Sequence, residues 1–312
     1  MQAVLWVAGL RAPGALLRDL PVMARIDALL RRASSLSIEL WPPKTPEALA
    51  HLRLSLPRLY ELRPTFASIT YGAAGLTRDR THELVVEIHQ QGQTTPMAHL
   101  ACFAHRRGEL VEILERYAAA GVENVLAVRG DPPRDVPAPF EAGDLAHAVD
   151  LVELVKSVGP FCVAVAAHPE GHPAAPDLAS DRRHLAAKLA AADFAITQFF
   201  FRVADYLRLV EDLGALGVDK PVIPGIMPIT NMRSIARMAE LSGAAIPAEV
   251  TARIEAAAPD PEAVRAAGIE IATELCRDLI AQGVPGLHFY TMNQVSATIA
   301  ICENLGLAPR RA

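Results

Sequence analysis

Eight short apolar runs, rich in valine, isoleucine and phenylalanine, alternate along this chain with longer segments of helical character. Strict alternation of strand and helix is typical of repeated β–α units built around a parallel sheet. Eight such units predict a (β/α)8 barrel, the TIM-barrel fold of the α/β class. The predicted strands lie at residues 37–40, 66–71, 97–102, 124–128, 162–167, 195–200, 222–227 and 287–291.

An open, doubly wound sheet is the alternative for such a pattern. That fold binds dinucleotides through a Gly-x-Gly-x-x-Gly turn after its first strand, and no such turn follows residues 37–40. Residues 109–120, which end at Gly121, bring Leu110 and Leu114 to one face, as expected of a helix that covers a barrel. The sequence therefore favours the closed barrel.

The chain has 312 residues, which exceeds the roughly 250 of a typical barrel. We assign the excess to an N-terminal extension at residues 1–35 and to extra helices between strands 7 and 8. Residues 36–312 are then a single catalytic barrel. The extra helices are predicted at residues 246–257 and 261–282, with Asp260 as the N-cap of the second.

Composition excludes several classes of function. A net charge of −5 argues against nucleic acid or an anionic membrane as the main partner. The four cysteines are widely spaced without a Cys-x-x-Cys pair, which predicts neither a zinc site nor a disulfide framework. No apolar run reaches the roughly 18 residues of a membrane span. We expect a cytoplasmic protein, and a homo-oligomer is compatible with the sequence.

Glu39 lies in the first predicted strand, where polar and apolar residues alternate. Because successive side chains of a strand point to opposite faces, Glu39 faces the barrel interior if Ile38 and Leu40 meet the helices. Active sites of these barrels form at the carboxyl ends of the strands. Burial there raises the pKa of a carboxyl group and favours a general acid near neutral pH. The structural alternative is a carboxylate in a buried ion pair.

The tripeptide Arg129-Gly130-Asp131 ends the fourth predicted strand, and two prolines follow it. Gly130 permits a ligand to approach the backbone closely. Arg129 suits a phosphate or carbonyl group, and Asp131 suits a positive or polarisable group. The alternatives are a strand-terminating salt bridge and an adhesive tripeptide, and the strand-end position argues against the second.

Further polar residues lie at the same predicted end of the barrel. Gln198 interrupts an apolar strand, so its amide binds either the neighbouring backbone or a ligand edge with donors and acceptors, such as a pterin. His99, His168 and His172 have no carboxylate at metal-ligand spacing, which favours hydrogen bonding to a cofactor over a metal site.

Asp181 and Lys188 lie seven residues apart on the predicted helix after strand 5. Seven residues make two helical turns, so both side chains share one face. That face is either solvated or contacts a phosphate through Lys188.

Seven segments together resemble the methylenetetrahydrofolate reductase family, and the similarity runs from about residue 36 to residue 307. They occur in the family's order and at its spacing. The segments are SIELWPPK at 37–44, SITYGA at 68–73, RDRT at 78–81, AVRGD at 127–131, AITQFFF at 195–201, IPGIMP at 223–228 and HFYTMN at 288–293.

This resemblance implies a (β/α)8 barrel that binds FAD without a covalent bond. NADH or NADPH and the folate would use the same flavin face in turn, by a ping-pong mechanism, in the one-carbon metabolism that supplies methionine biosynthesis. Glu39 matches the general acid that protonates N10 of 5,10-methylenetetrahydrofolate. Asp131 matches an acid near the flavin N1 and C2 carbonyl, and Gln198 matches a glutamine that contacts the pterin.

The resemblance also implies a flavin cradle, with Lys188 as its phosphate contact. Two residues fall at substrate positions of the family. Met232 stands where relatives often have a phenylalanine, and Gln294 stands where they can have an arginine. His168 stands where relatives often have a tyrosine, and the Phe140-Glu141 pair differs from an aromatic position beside the flavin. The cradle residues are Thr70, His99, Arg129, Gly130, Asp131, His168, His172, Asp181 and Lys188.

Two other functions remain compatible with the sequence. One is a flavin barrel reductase that receives electrons from a protein partner, and it would react little with NADH or NADPH. The other is a non-catalytic flavin-binding or folate-binding subunit, against which the joint presence of Glu39, Asp131 and Gln198 argues.

Overall fold

Eight parallel strands close into a barrel in the order in which they occur along the chain. The computed structural model describes residues 23–72, 78–130 and 143–308, without the side chain of Leu241. Each strand pairs with the next, and β8 pairs with β1 to close the ring. The predicted (β/α)8 fold is confirmed.

The strands lie within two residues of their predicted positions, and the fourth and fifth match at both ends. Ser35, which we assigned to the extension, is the first residue of β1. The strands are β1 Ser35–Leu40, β2 Phe66–Ile69, β3 Thr95–Ala101, β4 Asn124–Val128, β5 Cys162–Ala167, β6 Phe194–Phe199, β7 Val222–Ile226 and β8 Gly286–Tyr290.

Helices surround the barrel and close its amino end. No helix within the described ranges combines the length and apolar character that crossing a membrane requires. The helices are α1 Ile26–Leu30, α2 Pro46–Tyr60, α3 Arg78–Gln91, α4 Arg107–Ala119, α5 Ala148–Val158, α6 Leu178–Ala191, α7 Val203–Ala215, α8 Met232–Ser242, α9 Ala248–Ala257, α10 Pro261–Ala281 and α11 Val295–Asn304.

The two ends of the barrel differ in polarity. At the amino end, Ile26 and Leu30 of α1 pack among apolar side chains inside the barrel, including Phe66 and Phe194. The side chain of Asn124 accepts a hydrogen bond of 2.8 Å from the backbone N–H of Ile26 and fixes this plug. Glu39, His99 and Gln198 lie toward the opposite, carboxyl end, which we call the mouth.

The insertion between β7 and β8 contains α9 and α10, as predicted. Asp260 caps α10 by accepting a hydrogen bond of 3.0 Å from the backbone N–H of Glu262. At Gly268 a Cβ atom would lie 1.8 Å from the carbonyl oxygen of Ile229, so α10 presses directly on the backbone of the β7–α8 loop. The insertion thus supports one wall of the mouth.

Candidate active site

The sequence-predicted site residues that the structure describes lie toward the carboxyl end of the barrel. Asp131, Phe140 and Glu141 lie outside the described residues. Of the others, Glu39, His99 and Gln198 lie within β1, β3 and β6, Thr70 follows β2, Arg129 and Gly130 follow β4, His168 and His172 follow β5, Asp181 and Lys188 lie on α6, Met232 begins α8, and Gln294 is the N-cap of α11.

Glu39 points into the barrel and is 7% exposed, while Ile38 and Leu40 pack against the helices, as the alternation predicted. The indole Nε1 of Trp41 donates a hydrogen bond of 3.0 Å to Glu39 Oε1. Burial raises the pKa of Glu39 to about 7, although the Trp41 bond acts in the opposite direction. The carboxyl group can therefore hold a proton near neutral pH, which a general acid requires.

His99 faces Glu39 from β3. Its Nε2 lies 3.8 Å from Glu39 Oε2, which is too far for a hydrogen bond. Burial lowers the pKa of His99 to about 3, so the ring is neutral. Nε2 is buried and has no hydrogen-bond partner in the described part of the chain. Since buried polar atoms are rarely left unpaired, this nitrogen suits a polar group of a bound ligand.

A second buried histidine, His288 of β8, forms the floor beneath Glu39 and was missed by the sequence analysis. Its Nδ1 lies 2.9 Å from Ser37 Oγ, and its Nε2 lies 3.5 Å from Ser68 Oγ. Burial, with a smaller effect of His99, lowers the pKa of His288 to about 3. The alternation of β8 was the available signal, because it places His288 and Tyr290 on one face of the strand.

Tyr290 connects three strands at the mouth. Its hydroxyl donates a hydrogen bond of 2.6 Å to the carbonyl of Thr197 in β6, and Thr197 Oγ1 accepts one of 2.8 Å from the N–H of Gly225 in β7. A Cβ atom on Gly225 would lie 2.6 Å from the Tyr290 ring. The glycine therefore gives the ring its place beside the site.

Gln198 lies where the pairing of β6 with β7 is irregular, between Ile196 and Phe199. Such irregularities turn side chains away from regular alternation. Gln198 Oε1 accepts a hydrogen bond of 3.0 Å from the N–H of Phe199. Its NH₂ group makes no hydrogen bond to any described residue. Half-buried Gln198 thus combines the predicted bond to backbone with donors that remain for a ligand.

Gly130 has a φ of +80°, a left-handed conformation that favours glycine. A Cβ atom there would lie 2.8 Å from Ala101 Cβ at the end of β3. The close contact found at Gly130 is therefore with a neighbouring strand. Arg129 beside it is exposed, and its carbonyl accepts a hydrogen bond of 2.8 Å from the N–H of Phe103.

The β5–α6 loop brings His168 and His172 together, with ring centroids 4.6 Å apart and the rings edge to face. His172 Nδ1 accepts a hydrogen bond of 3.1 Å from the N–H of Ala174. Burial, with smaller effects from His172, Lys188 and Arg182, lowers the pKa of His168 to about 3. Two imidazole rings therefore border this side of the mouth.

Asp181 and Lys188 do not form the solvated face that the sequence also allowed. Buried Asp181 accepts a hydrogen bond of 2.9 Å from Arg182, the next residue. Lys188 is half-buried, and its Nζ donates a hydrogen bond of 2.8 Å to the carbonyl of Ala166. Within the described ranges no carboxylate lies within 4.0 Å of Nζ, so two of its three donors suit an anion.

A cleft of about 270 Å³ opens beside this loop. Its lining includes His172, Asp177 and Leu178, with Gly243 from the end of α8 on the other side. Glu39, His99 and Gln198 are not part of the lining. The cleft therefore extends the candidate site sideways from the barrel axis.

Sequence comparison identifies the relatives of this chain. The family model for methylenetetrahydrofolate reductase matches residues 25–306. A Pectobacterium carotovorum protein named 5,10-methylenetetrahydrofolate reductase is 37% identical over 283 residues, which cover 90% of this chain and 93% of the relative. A protein of that name from Escherichia coli is 37% identical over 276 residues, covering 88% and 92%. An Arabidopsis thaliana methylenetetrahydrofolate reductase (NADH) is 38% identical over 288 residues, covering 88% and 48%.

The fold also recurs in solved structures. The structure of a Clostridium thermocellum protein that binds two copies of 5-methyl-5,6,7,8-tetrahydrofolic acid aligns with a TM-score of 0.62. The alignment covers 91% of this chain and 99% of that one, at 15% sequence identity. At this identity the likeness shows a shared barrel fold.

Proposed function

Since this chain belongs to the methylenetetrahydrofolate reductase family, a family of oxidoreductases, we propose that it is an FAD-dependent enzyme that reduces 5,10-methylenetetrahydrofolate to 5-methyltetrahydrofolate. NADH or NADPH supplies the hydride in one half-reaction, and the folate accepts it in a second. The observation that carries the proposal is Glu39, a buried carboxyl group at the mouth with a pKa of about 7.

The proposed role of Glu39 is to protonate N10 of the folate. Protonation at N10 makes that nitrogen a leaving group, so the five-membered ring opens to a 5-iminium cation that can accept a hydride. A carboxyl group with a pKa near the working pH delivers this proton and still regains it between turnovers. Asp131 is proposed to sit near the flavin and favour the cation through its negative charge.

The described residues fit a bound FAD, which would supply the hydride from N5 of its ring system. The buried, unpartnered Nε2 of His99 would bond to a polar edge of the flavin. Lys188, with two donors left over, would bind a phosphate. The other proposed cradle residues are Thr70, Arg129, Gly130, Asp131, His168, His172 and Asp181.

We expect Lys188→Ala to weaken FAD binding, because a charge-assisted hydrogen bond contributes about 1.5 to 3 kcal/mol. The dissociation constant should rise by about 10- to 100-fold. Fluorescence titration of the apoprotein with FAD measures this constant. Lys220→Ala, at an exposed position, is the matched control. An unchanged constant in Lys188→Ala would remove this lysine from the site.

On the substrate side, Gln198 is proposed to bind the pterin through its unpaired NH₂ group. Met232 packs against the apolar cluster that includes Phe199 and Ile229, and it would contact the aromatic ring of the folate. Gln294 would meet its glutamate tail from the start of α11, where Thr230 Oγ1 lies 3.5 Å from Gln294 Oε1. An amide at this position lacks the charge and the paired donors that an arginine offers a carboxylate.

Gln294→Arg should therefore lower the Michaelis constant for the folate. The expected change is at most about fivefold, because an exposed ion pair contributes only about 0.2 to 1 kcal/mol. Steady-state kinetics with the monoglutamyl folate gives the measurement, and Gln294→Met controls for side-chain size. If the arginine variant behaves like the methionine variant, another group holds the tail, and Arg265 beside Ser296 is the candidate.

An anaerobic absorption experiment tests the proposed function as a whole. Addition of NADH or NADPH to the FAD-loaded protein should bleach the flavin band, and addition of 5,10-methylenetetrahydrofolate should restore it. A flavin that neither nucleotide reduces, but that dithionite reduces and the folate reoxidises, would support a protein electron donor instead. A flavin that the folate does not reoxidise would overturn the proposal.

A further inference from the structure

Four hydrogen bonds, three between the ends of β1 and β8 and one within the loop after β8, form what we call the β1–β8 clamp. Asn293 Oδ1 accepts from the backbone N–H of Trp41, and Asn293 Nδ2 donates to the carbonyl of Trp41, each at 2.9 Å. Thr291 Oγ1 donates to the carbonyl of Glu39 at 2.6 Å and accepts from the N–H of Asn293 at 3.1 Å. One side-chain amide thus holds both backbone groups of Trp41.

The backbone turns sharply to bring Asn293 to Trp41. Met292 and Asn293 have φ values of +50° and +58°, in the left-handed region. Asparagine adopts this conformation more readily than most residues, whereas methionine does so rarely. Two consecutive residues in this region persist where surrounding contacts hold them, and such strain is frequent at functional sites. The clamp supplies those contacts here.

We propose that Asn293 is a positioning residue for the acid, because it fixes Trp41 so that the indole N–H donates to Oε1 of Glu39. Oε2, which lies 3.8 Å from His99 Nε2, is then left to carry the proton. The inference rests on the proposed function in one respect only, namely that this proton goes to the folate. Trp41 selects the oxygen, and Asn293 holds Trp41.

Few other groups compete for the Glu39 carboxyl group. His99 faces it from β3, and Tyr290 with His288 from β8, and burial keeps both histidines neutral. In the described part of the chain, the indole of Trp41 is the one side chain that hydrogen-bonds to Glu39. A hydrogen bond to the ionised carboxylate lowers its pKa, so loss of this bond raises the pKa.

The direct test uses the fluorescence of Trp41. The chain has two tryptophans, Trp6 and Trp41, so the Trp6→Phe protein reports on Trp41 alone. The emission of Trp41 should change as pH passes through about 7 and Glu39 ionises. Glu39→Gln should abolish this transition. In the same background Asn293→Gly should move the transition up by about one to two pH units. Glycine suits the left-handed backbone, so this variant should fold.

The pH dependence of the folate half-reaction tests the β1–β8 clamp independently. The basic limb of the folate half-reaction should move upward in Asn293→Gly and in Trp41→Phe by the same amount. The double variant should move the limb no further, since both substitutions remove the same hydrogen bond, from Trp41 to Glu39. Reduction by NADH or NADPH should be unaffected. Asn304→Ala, at the far end of α11, is the control and should change neither measurement.

The outcomes separate this inference from the proposed function. A Trp41 transition that stays at the wild-type pH in Asn293→Gly would overturn the positioning role, even if the enzyme reduces folate normally. Additive shifts in the double variant would overturn it as well. A shifted transition in a protein that does not reduce folate at all would support the clamp while refuting the proposed function.

Discussion

Glu39→Gln should leave flavin reduction by NADH or NADPH within a few-fold of wild type and slow flavin oxidation by 5,10-methylenetetrahydrofolate by about 10²- to 10⁴-fold. Hydride transfer from the nucleotide needs no acid at N10, whereas ring opening of the folate does. Glutamine can still accept the indole hydrogen bond of Trp41, so shape and contacts are kept while the proton is lost. Stopped-flow absorbance of the flavin follows each half-reaction separately.

The pH dependence provides the internal check on this result. Because burial raises the pKa of Glu39 to about 7, the wild-type carboxyl group is protonated below this pH. The folate half-reaction should therefore decline as pH rises through about 7, and this decline should be absent in Glu39→Gln. Glu83→Gln, on the exposed surface of α3, is the matched control. Equal slowing of both half-reactions would assign Glu39 to flavin positioning, and no slowing would refute the acid role.

The direction of Glu39 could be predicted from sequence because it depends on local geometry alone. A strand with alternating residues has only two faces, and the apolar face must meet the helices. The desolvation of Glu39 follows from the same argument, because an inward carboxyl group in a barrel is removed from water. To predict this, it was enough to know that Glu39 is a carboxyl residue and that the site lies at the carboxyl ends of the strands.

The partners of Glu39 could not be predicted in this way. Trp41 reaches it from just beyond β1, and Asn293 reaches Trp41 across 252 positions in the sequence. That second contact depends on two left-handed residues in the β8–α11 loop, which no propensity of Met292 would suggest. Loop conformations that bring distant backbone groups together are set by tertiary packing, so they become visible only in the structure.

The contacts of α6, the helix after β5, also depend on tertiary packing. Spacing correctly placed Asp181 and Lys188 on one helix, but it did not predict that Asp181 forms an ion pair with the adjacent Arg182. Adjacent residues on a helix normally point in different directions. Arg182 is drawn back because the carbonyls of His168 and Pro169, exposed by the end of β5, need donors. The demand of a loop backbone, which spacing does not reveal, decided the pairing.

Arg182→Met should lower the free energy of unfolding by about 3 to 5 kcal/mol, the usual cost of removing one partner from a buried ion pair. Arg182 is 2% exposed and donates to Asp181 at 2.9 Å and Asp212 at 3.1 Å. It also donates to the carbonyls of His168 and Pro169, at 2.9 Å and 2.6 Å. Methionine fills much of the same volume but leaves these acceptors without a donor.

The same substitution should weaken FAD binding, because the β5–α6 loop carries both His168 and His172. Urea unfolding of the apoprotein measures the free energy of unfolding, and FAD titration under native conditions measures the FAD dissociation constant. Arg183→Met, on the exposed side of the same helix, should change neither. Loss of stability with an unchanged FAD dissociation constant would show that the hydrogen bonds of Arg182 do not support the cofactor site. Equal stability of Arg182→Met and Arg183→Met would show that Arg182 does not hold the loop.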